Sequence, residues 1–262
     1  MPDPADFGTE RSPIRMSSLP RLATCTMREF LMYMGDLLDE SGAAADTGSM
    51  VHGMVAAWHT SGFDASRAAQ EVAALQKQFP LAEPEIAASH FAGYANDPRN
   101  RVHLFGRPER PVRLSLDMGE GQEPLCLVGT LDQIREHDDG NLYVWDVKTG
   151  RPSGLQMLDA YALQISGYAL AATAEIGRPV LPGGFIRTVG YLEQGRVKSV
   201  SPDKVFYEIP WTLKDCELLL DTIRRAVRQI RAGEADFAPG DACKFCPARG
   251  FQNCLPLLRK YL

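Results

Sequence analysis

Three ionisable side chains lie on two segments that have the pattern of β-strands. The stretch Leu127 to Lys148 reads LVGTLDQIREHDDGNLYVWDVK and alternates apolar and polar residues on both sides of Asp-Asp-Gly. This alternation around a turn sequence predicts a β-hairpin, with Asp132 on its first strand and Asp146 and Lys148 on its second. Residues two apart in a strand point to the same face, so the Asp146 carboxylate and the Lys148 amine should project together.

The length of the turn decides whether Asp132 joins this pair. A two-residue turn would place the two aspartates on opposite faces of the hairpin. A three-residue turn, Asp138 to Gly140 with the glycine in the left-handed conformation, pairs Asp132 with Asp146 and Ile134 with Val144. Directly opposed Cβ atoms are about 5 Å apart, so both carboxylates could bind one divalent cation. We predict the three-residue turn, because two anions side by side on an apolar face are costly without a cation.

Taken alone, an Asp-x-Lys pair is usually an exposed ion pair of little energetic value. Here Gly-Thr-Leu-Asp132 precedes Asp146-Val-Lys148, and Gln164-x-x-x-Tyr168 follows on a predicted helix. In this order the motifs resemble the PD-(D/E)XK nuclease superfamily, specifically its RecB-like branch, with aspartate as the middle acid. The resemblance implies a restriction-endonuclease-like α/β fold, in which helices flank a mixed central sheet.

A histidine on an earlier predicted helix extends the resemblance. The helix should run from about Ser49 to Thr60, after a small-residue linker, and His52 lies between its apolar rows. A lone helical histidine is more often a surface or core residue than a ligand. However, Gly48-x-x-x-His52 resembles the G-x-x-x-H helix of RecB-like nucleases, whose histidine binds the metal together with the two acids.

The resemblance implies a role for each of these residues in phosphodiester hydrolysis. Lys148 would stabilise charge in the transition state or orient the attacking water. Gln164 and Tyr168 would position the DNA strand. The implied ligands of one or two Mg²⁺ or Mn²⁺ ions are His52, Asp132, Asp146 and the carbonyl of Val147.

A cluster of cysteines near the C-terminus predicts a second metal site. Cys243, Cys246 and Cys254 form C-x2-C-x7-C in a glycine- and proline-rich stretch, which leaves a four-thiolate site one ligand short. Cys126 lies in a predicted strand and Cys216 on the buried side of a helix, where cysteine is usually a small apolar residue. Cys25, just before a predicted helix, is therefore the preferred fourth ligand.

One of the four predicted cysteine ligands lies before the nuclease motifs and three lie after them. This order resembles that of the iron–sulfur subset of RecB-like nucleases, which includes AddB-type helicase–nuclease subunits and the CRISPR-adaptation nuclease. The resemblance implies a [4Fe–4S] cluster that joins the two ends of the chain. Zinc is the alternative occupant, since four thiolates also suit a structural zinc site.

Composition limits the class of protein. The chain has 262 residues, 45% of them hydrophobic, which is enough for one domain with its own core. We expect a disordered leader over residues 1–16 and a single nuclease domain over 17–262, with the cysteine cluster at about 240–256. The sequence lacks an apolar run that could span a bilayer, so we expect a soluble cytoplasmic protein. A net charge of −5 disfavours binding to DNA by non-specific attraction alone.

The remaining periodicity predicts further elements. A strand is expected at 112–117, and two strands at 183–193 and 197–209 should form a hairpin turning at Gln194-Gly195. The predicted helices cover residues 26–38, 64–79, 83–95, 158–176 and 213–232. Two sets of arginines are either solvated or contact DNA phosphates: Arg99, Arg101, Arg107, Arg110 and Arg113 in the first, and Arg224, Arg228 and Arg231 in the second.

The function expected from the sequence is that of a metal-dependent DNA exonuclease in repair, recombination or CRISPR spacer processing. Its substrate would be single-stranded or duplex DNA ends. Its partner would be a recombination, helicase or CRISPR-adaptation protein, in a prokaryotic or phage-infected cell. The alternative is a non-catalytic DNA-end-binding or assembly subunit that retains the fold and the cluster. The presence of Asp132, Asp146 and Lys148 together argues against this alternative.

Overall fold

The computed structural model describes residues 2–35, 42–149, 156–188, 190–193, 196–199 and 205–234, together with Cys243, Cys246 and Cys254. The described residues form seven α-helices: α1 (Leu19–Thr24), α2 (Thr26–Tyr33), α3 (Ala43–Thr60), α4 (Ala65–Gln78), α5 (Pro84–Asn96), α6 (Gln156–Ile176) and α7 (Leu213–Arg231). The strands are β1 (Ile14–Arg15), β2 (Arg110–Leu116), β3 (Leu125–Leu131), β4 (Gln133–Glu136), β5 (Leu142–Lys148), β6 (Val180–Arg187), β7 (Gly190–Glu193), β8 (Arg196–Ser199) and β9 (Phe206–Glu208).

Two mixed sheets meet at Asp132. The first has the order β1-β3-β2 and the second the order β4-β5-β6-β9, while β7 and β8 form a separate ladder. The chain leaves β3 and enters β4 on either side of Asp132, so the predicted first strand of the central hairpin is broken at this residue. The break lets one aspartate stand between the two sheets.

The central hairpin has the predicted register. Strands β4 and β5 are antiparallel, and Ile134 pairs with Val144. The His137 N–H donates to the Asn141 carbonyl at 3.0 Å, which leaves residues 138–140 as the turn. Gly140 has a φ of 76°, in the left-handed region that a three-residue turn requires. The three-residue turn is therefore confirmed.

Helices cover both faces of the second sheet. On β5, Leu142 and Val144 pack in a core that includes α6 and α7, whereas Trp145 and Val147 pack in a second core beneath α3 and α5. Burial on both faces explains why this strand is almost continuously apolar apart from its functional residues. Asp146 shares the α6 face with Val144, as the two-residue period of a strand requires.

The N-terminal residues are folded, although the sequence predicts a disordered leader over residues 1–16. Phe7 and Ile14 are buried, and Met16 is fully buried in the main core. Strand β1 pairs in parallel with β3, placing Ile14 beside Leu127. The segment is polar and rich in proline, but its three apolar residues pack in the core. The strand beside Ile14 lies more than a hundred residues later in the sequence.

The other predicted elements differ mainly at their ends. Helix α3 begins at Ala43 rather than Ser49, because the expected linker is alanine-rich and alanine is the best helix former. The second predicted hairpin is present as β6 with β9 and β7 with β8, and Glu193 pairs with Arg196 around the expected turn. Helix α2 ends at Tyr33, before the predicted end at residue 38, and Gly35 follows with a φ of 83°. No helix in the described ranges is long and apolar enough to cross a bilayer.

Replacing Phe7 with alanine should destabilise the protein, because its ring is buried and packs edge-on against Tyr33 at 5.1 Å. We expect a loss of about 3 kcal/mol in the free energy of unfolding, measured by urea denaturation. Glu10→Ala, three residues away at an exposed ion pair with Arg113, should change it by less than about 0.5 kcal/mol. Equal stabilities of the two variants would show that the leader does not contribute to the core.

Candidate metal centre and active site

Helix α3 places His52 against the break between the sheets. The His52 Nδ1 atom lies 3.1 Å from Asp132 Oδ1 and 3.3 Å from Glu109 Oε1. In the described part of the chain, these three residues are the one group of metal-ligating side chains whose donor atoms all lie within 4.8 Å of one another. Burial disfavours the imidazolium, but the carboxylates of Asp132 and Glu109 outweigh it and hold the pKa of His52 well above 6.5.

Glu109 was not predicted from the sequence. It has a φ of 51°, which is unusual outside glycine, and its N–H donates to the Asp132 carbonyl at 3.2 Å. This backbone contact carries the glutamate side chain to His52 from a segment 23 residues before Asp132. One feature of the sequence could have indicated it, since Glu109 is the single acid within an arginine-rich stretch.

The two predicted aspartates have different surroundings. Asp132 accepts a 2.6 Å hydrogen bond from the Val147 N–H through Oδ2, which leaves Oδ1 directed at His52. Asp146 is 3% exposed and accepts from Gln164 Nε2 at 3.3 Å through Oδ1. Its Oδ2 lies 2.5 Å from Lys148 Nζ without the alignment of a hydrogen bond. Burial, opposed by Lys148 and aided by Asp132, raises the pKa of Asp146 to about 6.

The face of α6 completes the surroundings of Lys148. The ammonium lies 3.1 Å from Gln164 Oε1 and 4.7 Å from the centre of the Tyr161 ring. Burial lowers the pKa of Lys148, but the charges of Asp146 and Asp132 more than compensate, so the amine is protonated. The predicted residues Gln164 and Tyr168 are also joined, since Gln164 Nε2 lies 3.3 Å from the Tyr168 hydroxyl. Tyr161 falls outside the family pattern, but its ring borders the site through this contact with Lys148.

The glycine of Gly-Thr-Leu-Asp is explained by Tyr168. A Cβ atom on Gly129 would lie 2.7 Å from Tyr168 Cε1, closer than two carbons can approach. The bare backbone of β3 thus lets the tyrosine ring rest on the strand that leads to Asp132. The two motifs are therefore in direct packing contact.

These residues line one open cleft of about 1160 Å³ between α3, the hairpin and α6. All the predicted site side chains border it: His52, Asp132, Asp146, Lys148, Gln164 and Tyr168. Glu109 borders it from one side and Arg15 of β1 from another. For Val147, whose carbonyl was expected to be a ligand, the structure shows the N–H bonded to Asp132.

Of the predicted cluster cysteines, Cys25, Cys243 and Cys246 lie close enough to Cys254 for their charges to act on its thiol. Cys254 is buried in the main core, and Cys25 and Cys246 pack against that core. Burial, followed by the charges of Cys246, Cys25 and Cys243, raises the pKa of Cys254. The Cys246 N–H also donates to the Cys243 carbonyl at 3.3 Å. Cys126 and Cys216 are fully buried within β3 and α7, as expected of small apolar residues.

Most of the arginines considered as phosphate contacts are bound within the fold. Arg99, Arg110 and Arg113 form ion pairs with Asp97, Glu175 and Glu10. On α7, Arg224 pairs with Asp221, while Arg228 and Arg231 donate to backbone carbonyls of Met118, Phe7, Glu123 and Pro124. On α7, Arg228 and Arg231 thus hold neighbouring segments of the chain, and Arg224 is paired within the helix, so these arginines have structural partners in the fold.

A buried polar network supports the strand after Asp132. The Tyr94 hydroxyl accepts hydrogen bonds from Gln133 Nε2 at 2.6 Å and Arg135 Nη2 at 3.2 Å. Its own proton is thus directed to His59 Nε2, 2.9 Å away, which must be an acceptor. Burial, with the nearby charges of Arg135 and His103, lowers the pKa of His59 to about 4.

The acid-x-lysine of β5, with a second acid at the junction of two mixed sheets, defines a restriction-endonuclease-type phosphodiester hydrolase. The model of the PD-(D/E)XK nuclease superfamily matches residues 14–251, and the chain belongs to this superfamily. The structure is similar to a crystal structure from Eubacterium rectale named as a candidate exonuclease, with a TM-score of 0.52 and 13% identity over 88% of this chain and 87% of the other.

A second crystal structure, of SSO0001, has 13% identity over 85% of this chain and 91% of the other, with a TM-score of 0.36. At these identities the first likeness concerns the fold alone, and the second is too weak to support an argument. No curated protein matches the chain.

The neutral state of His59 predicts how stability depends on pH. Between about pH 4 and 6.5 the unfolded chain protonates this histidine and the folded chain does not, so the free energy of unfolding should rise with pH across this window. His59→Gln should reduce this rise in the free energy of unfolding by up to about 3 kcal/mol, an upper bound because the ring is partly exposed to solvent. Urea titrations of both proteins at several pH values measure this difference. Parallel curves would contradict it.

Proposed function

We propose that this chain is a divalent-metal-dependent deoxyribonuclease of the RecB-like branch, acting as an exonuclease on DNA ends. The observation that carries the proposal is the convergence of His52, Glu109 and Asp132 within 4.8 Å beside the buried pair Asp146–Lys148. Histidine and carboxylate ligands next to a lysine are the donors that metal-assisted phosphodiester hydrolysis requires.

The residues present fit a divalent cation. Three carboxylates, of Glu109, Asp132 and Asp146, border the cleft, and the Oδ2 of Asp146 is buried without an aligned hydrogen-bond donor. Such an arrangement of oxygen donors, with one imidazole, suits Mg²⁺ or Mn²⁺. We assign His52, Glu109, Asp132 and Asp146 as ligands, with the Val147 carbonyl as a further candidate. When bound, the cation would activate water and offset the charge of the scissile phosphate.

The side chains around the ligands have distinct roles in this proposal. The Lys148 ammonium donates a hydrogen bond, and brings its positive charge, to the scissile phosphate or to the attacking water. Gln164 holds that amine through its Oε1 and the Asp146 carboxylate through its Nε2, so it fixes their relative orientation. Tyr168 accepts a hydrogen bond from Gln164 and borders the cleft, and in this proposal it positions the DNA strand.

The biological role we propose is DNA repair, recombination or CRISPR spacer processing in the cytoplasm, together with a recombination, helicase or CRISPR-adaptation protein. Support for this role comes from the resemblance of the motifs to those of RecB-like nucleases. The acidic net charge, and the arginines bound within the fold, favour a substrate held locally in the cleft over broad electrostatic attraction.

The alternative is a DNA-end-binding or assembly subunit without catalytic activity. It would bind end-labelled DNA and leave it intact with Mn²⁺. The arrangement of Lys148 against Asp146 and Gln164 favours the enzyme, because a partly buried ion pair is costly to maintain where it has no function.

Substitution of the acid or the lysine should abolish cleavage and leave the fold intact. We expect Asp146→Asn and Lys148→Ala each to lower the rate by about 10²–10³-fold or more, since each removes a ligand or a charge needed in the transition state. The assay uses end-labelled single- and double-stranded DNA with Mn²⁺ or EDTA, and circular dichroism monitors folding. Asp138→Ala, in the exposed turn of the same hairpin, is the control. Full activity in either site variant would exclude that residue from the mechanism.

We also propose that Cys25, Cys243, Cys246 and Cys254 hold a [4Fe–4S] cluster that joins the two ends of the chain. Support comes from the position of Cys254, whose pKa is raised by burial and by the charges of Cys246, Cys25 and Cys243 nearby. Thiolates are soft ligands suited to iron–sulfur clusters and to zinc, and zinc is the second candidate.

Anaerobic purification should yield brown protein with an absorption band in the visible range that disappears on oxidation. Cys243→Ser should lose the colour, whereas Cys216→Ser, in the core of α7, should keep it. Colourless protein that contains zinc by elemental analysis would overturn the iron–sulfur assignment and leave the site itself in place.

A further inference from the structure

A bulge next to the active site forms the wall of a second cleft. The Phe105 N–H donates to the Ile134 carbonyl at 2.8 Å, and the Glu109 N–H to the Asp132 carbonyl at 3.2 Å. The two acceptors, Ile134 and Asp132, are two residues apart, whereas the two donors, Phe105 and Glu109, are four residues apart. The extra residues, within 106–108, therefore bulge away from the sheet. A bulge of this kind redirects side chains, and here one end of it carries Glu109 into the metal centre.

The other side of the bulge faces a cleft of about 290 Å³, which we name the bulge cleft. Its wall includes Arg107 and Pro108 from the bulge, His103 just before it, and Phe63 and His59 at the end of α3. The rings of Phe63 and His103 are 5.6 Å apart and tilted by 49°. A volume at the lower limit of ligand sites suits one planar ring system.

The backbone is strained at Phe63, in the wall of this cleft, and at Glu109, the residue after the wall residue Pro108. Within the described ranges, Phe63 and Glu109 are the two residues other than glycine with positive φ, at 72° and 51°. Phe63 is held there by its N–H bond to the Trp58 carbonyl at 2.8 Å and by ring packing on Trp58 at 4.9 Å. Strain of this kind persists where the surroundings enforce it, and it is concentrated at functional sites.

The bulge cleft and the metal centre lie on the same side of α3. His59 follows His52 by seven residues, which is two turns and about 10 Å along the helix, or about three stacked nucleotides. Arg107 is exposed, and among the described residues its guanidinium has no hydrogen-bond or ion-pair partner, unlike that of Arg99 or Arg110. An aromatic wall with an unpaired cation is the composition of a single-strand binding surface.

We propose that the bulge cleft binds one unstacked nucleobase of the substrate strand, a few nucleotides from the scissile phosphate. The base contacts Phe63 and His103, and Arg107 contacts an adjacent phosphate. This inference rests on the proposed nuclease function and names a subsite for its substrate. Stacking on aromatic rings is sequence-tolerant, so the subsite fixes the position of the strand without selecting a sequence.

The test measures binding of short single-stranded oligonucleotides by fluorescence anisotropy in Ca²⁺, which takes the same oxygen ligands as Mg²⁺, with gels to verify that the DNA stays intact. An abasic site is moved one nucleotide at a time from the end of the strand. In the wild-type protein, one position should weaken binding about tenfold. His103→Ala should weaken binding to intact DNA by a similar factor and no longer respond to the abasic site, and His103→Phe should restore both.

Arg107→Gln and Arg101→Gln form a matched pair, because both remove one positive charge from the same exposed segment and Arg101 lies outside the cleft. Only Arg107→Gln should weaken binding several-fold. Equal effects of the two variants, or DNA binding that responds to no abasic position, would overturn the subsite. If Lys148→Ala still cleaved while the abasic response persisted, the proposed mechanism would fail and the subsite would stand.

Discussion

The arrangement of the site depends on the hydrogen bonds that Asp132 accepts through its carboxylate and its backbone carbonyl. One oxygen accepts the Val147 N–H, which ties it to the strand of the acid-x-lysine motif, and the other faces His52 of α3. Its backbone carbonyl accepts the Glu109 N–H. Three separate parts of the chain are thus oriented by one residue at the junction of two sheets. The short hydrogen bond to a carboxylate is charge-assisted and so stronger than a neutral one.

Local pattern was sufficient for the hairpin and its functional face. The alternation on both sides of Asp138–Gly140 predicted the hairpin, and the expectation that Asp132 and Asp146 share one cation selected its register. The helix carrying Gln164 and Tyr168 was equally readable, since side chains four residues apart share a face. Both predictions concern neighbours in sequence, where spacing and geometry are directly related.

Long-range contacts could not be predicted in the same way. Glu109 reaches His52 through a strained backbone and a bulge, and neither has a signature in composition. The N-terminal residues looked disordered because the sheet that buries Phe7 forms from distant segments. Arg228 and Arg231 of α7 had the periodicity of an exposed basic face, yet they donate to backbone carbonyls of distant segments whose positions only the fold determines.

The segment that carries Glu109 also has a consequence for solubility. Strand β4 is at the end of its sheet, and an unpaired strand edge is a template for association with other chains. Residues 104–109 cover that edge through Leu104 beside Arg135 and the bond from Phe105 to Ile134. A substitution that detaches residues 104–109 would therefore expose the edge of β4 and also withdraw the Glu109 carboxylate from the site. Aggregation and loss of catalysis should then occur together.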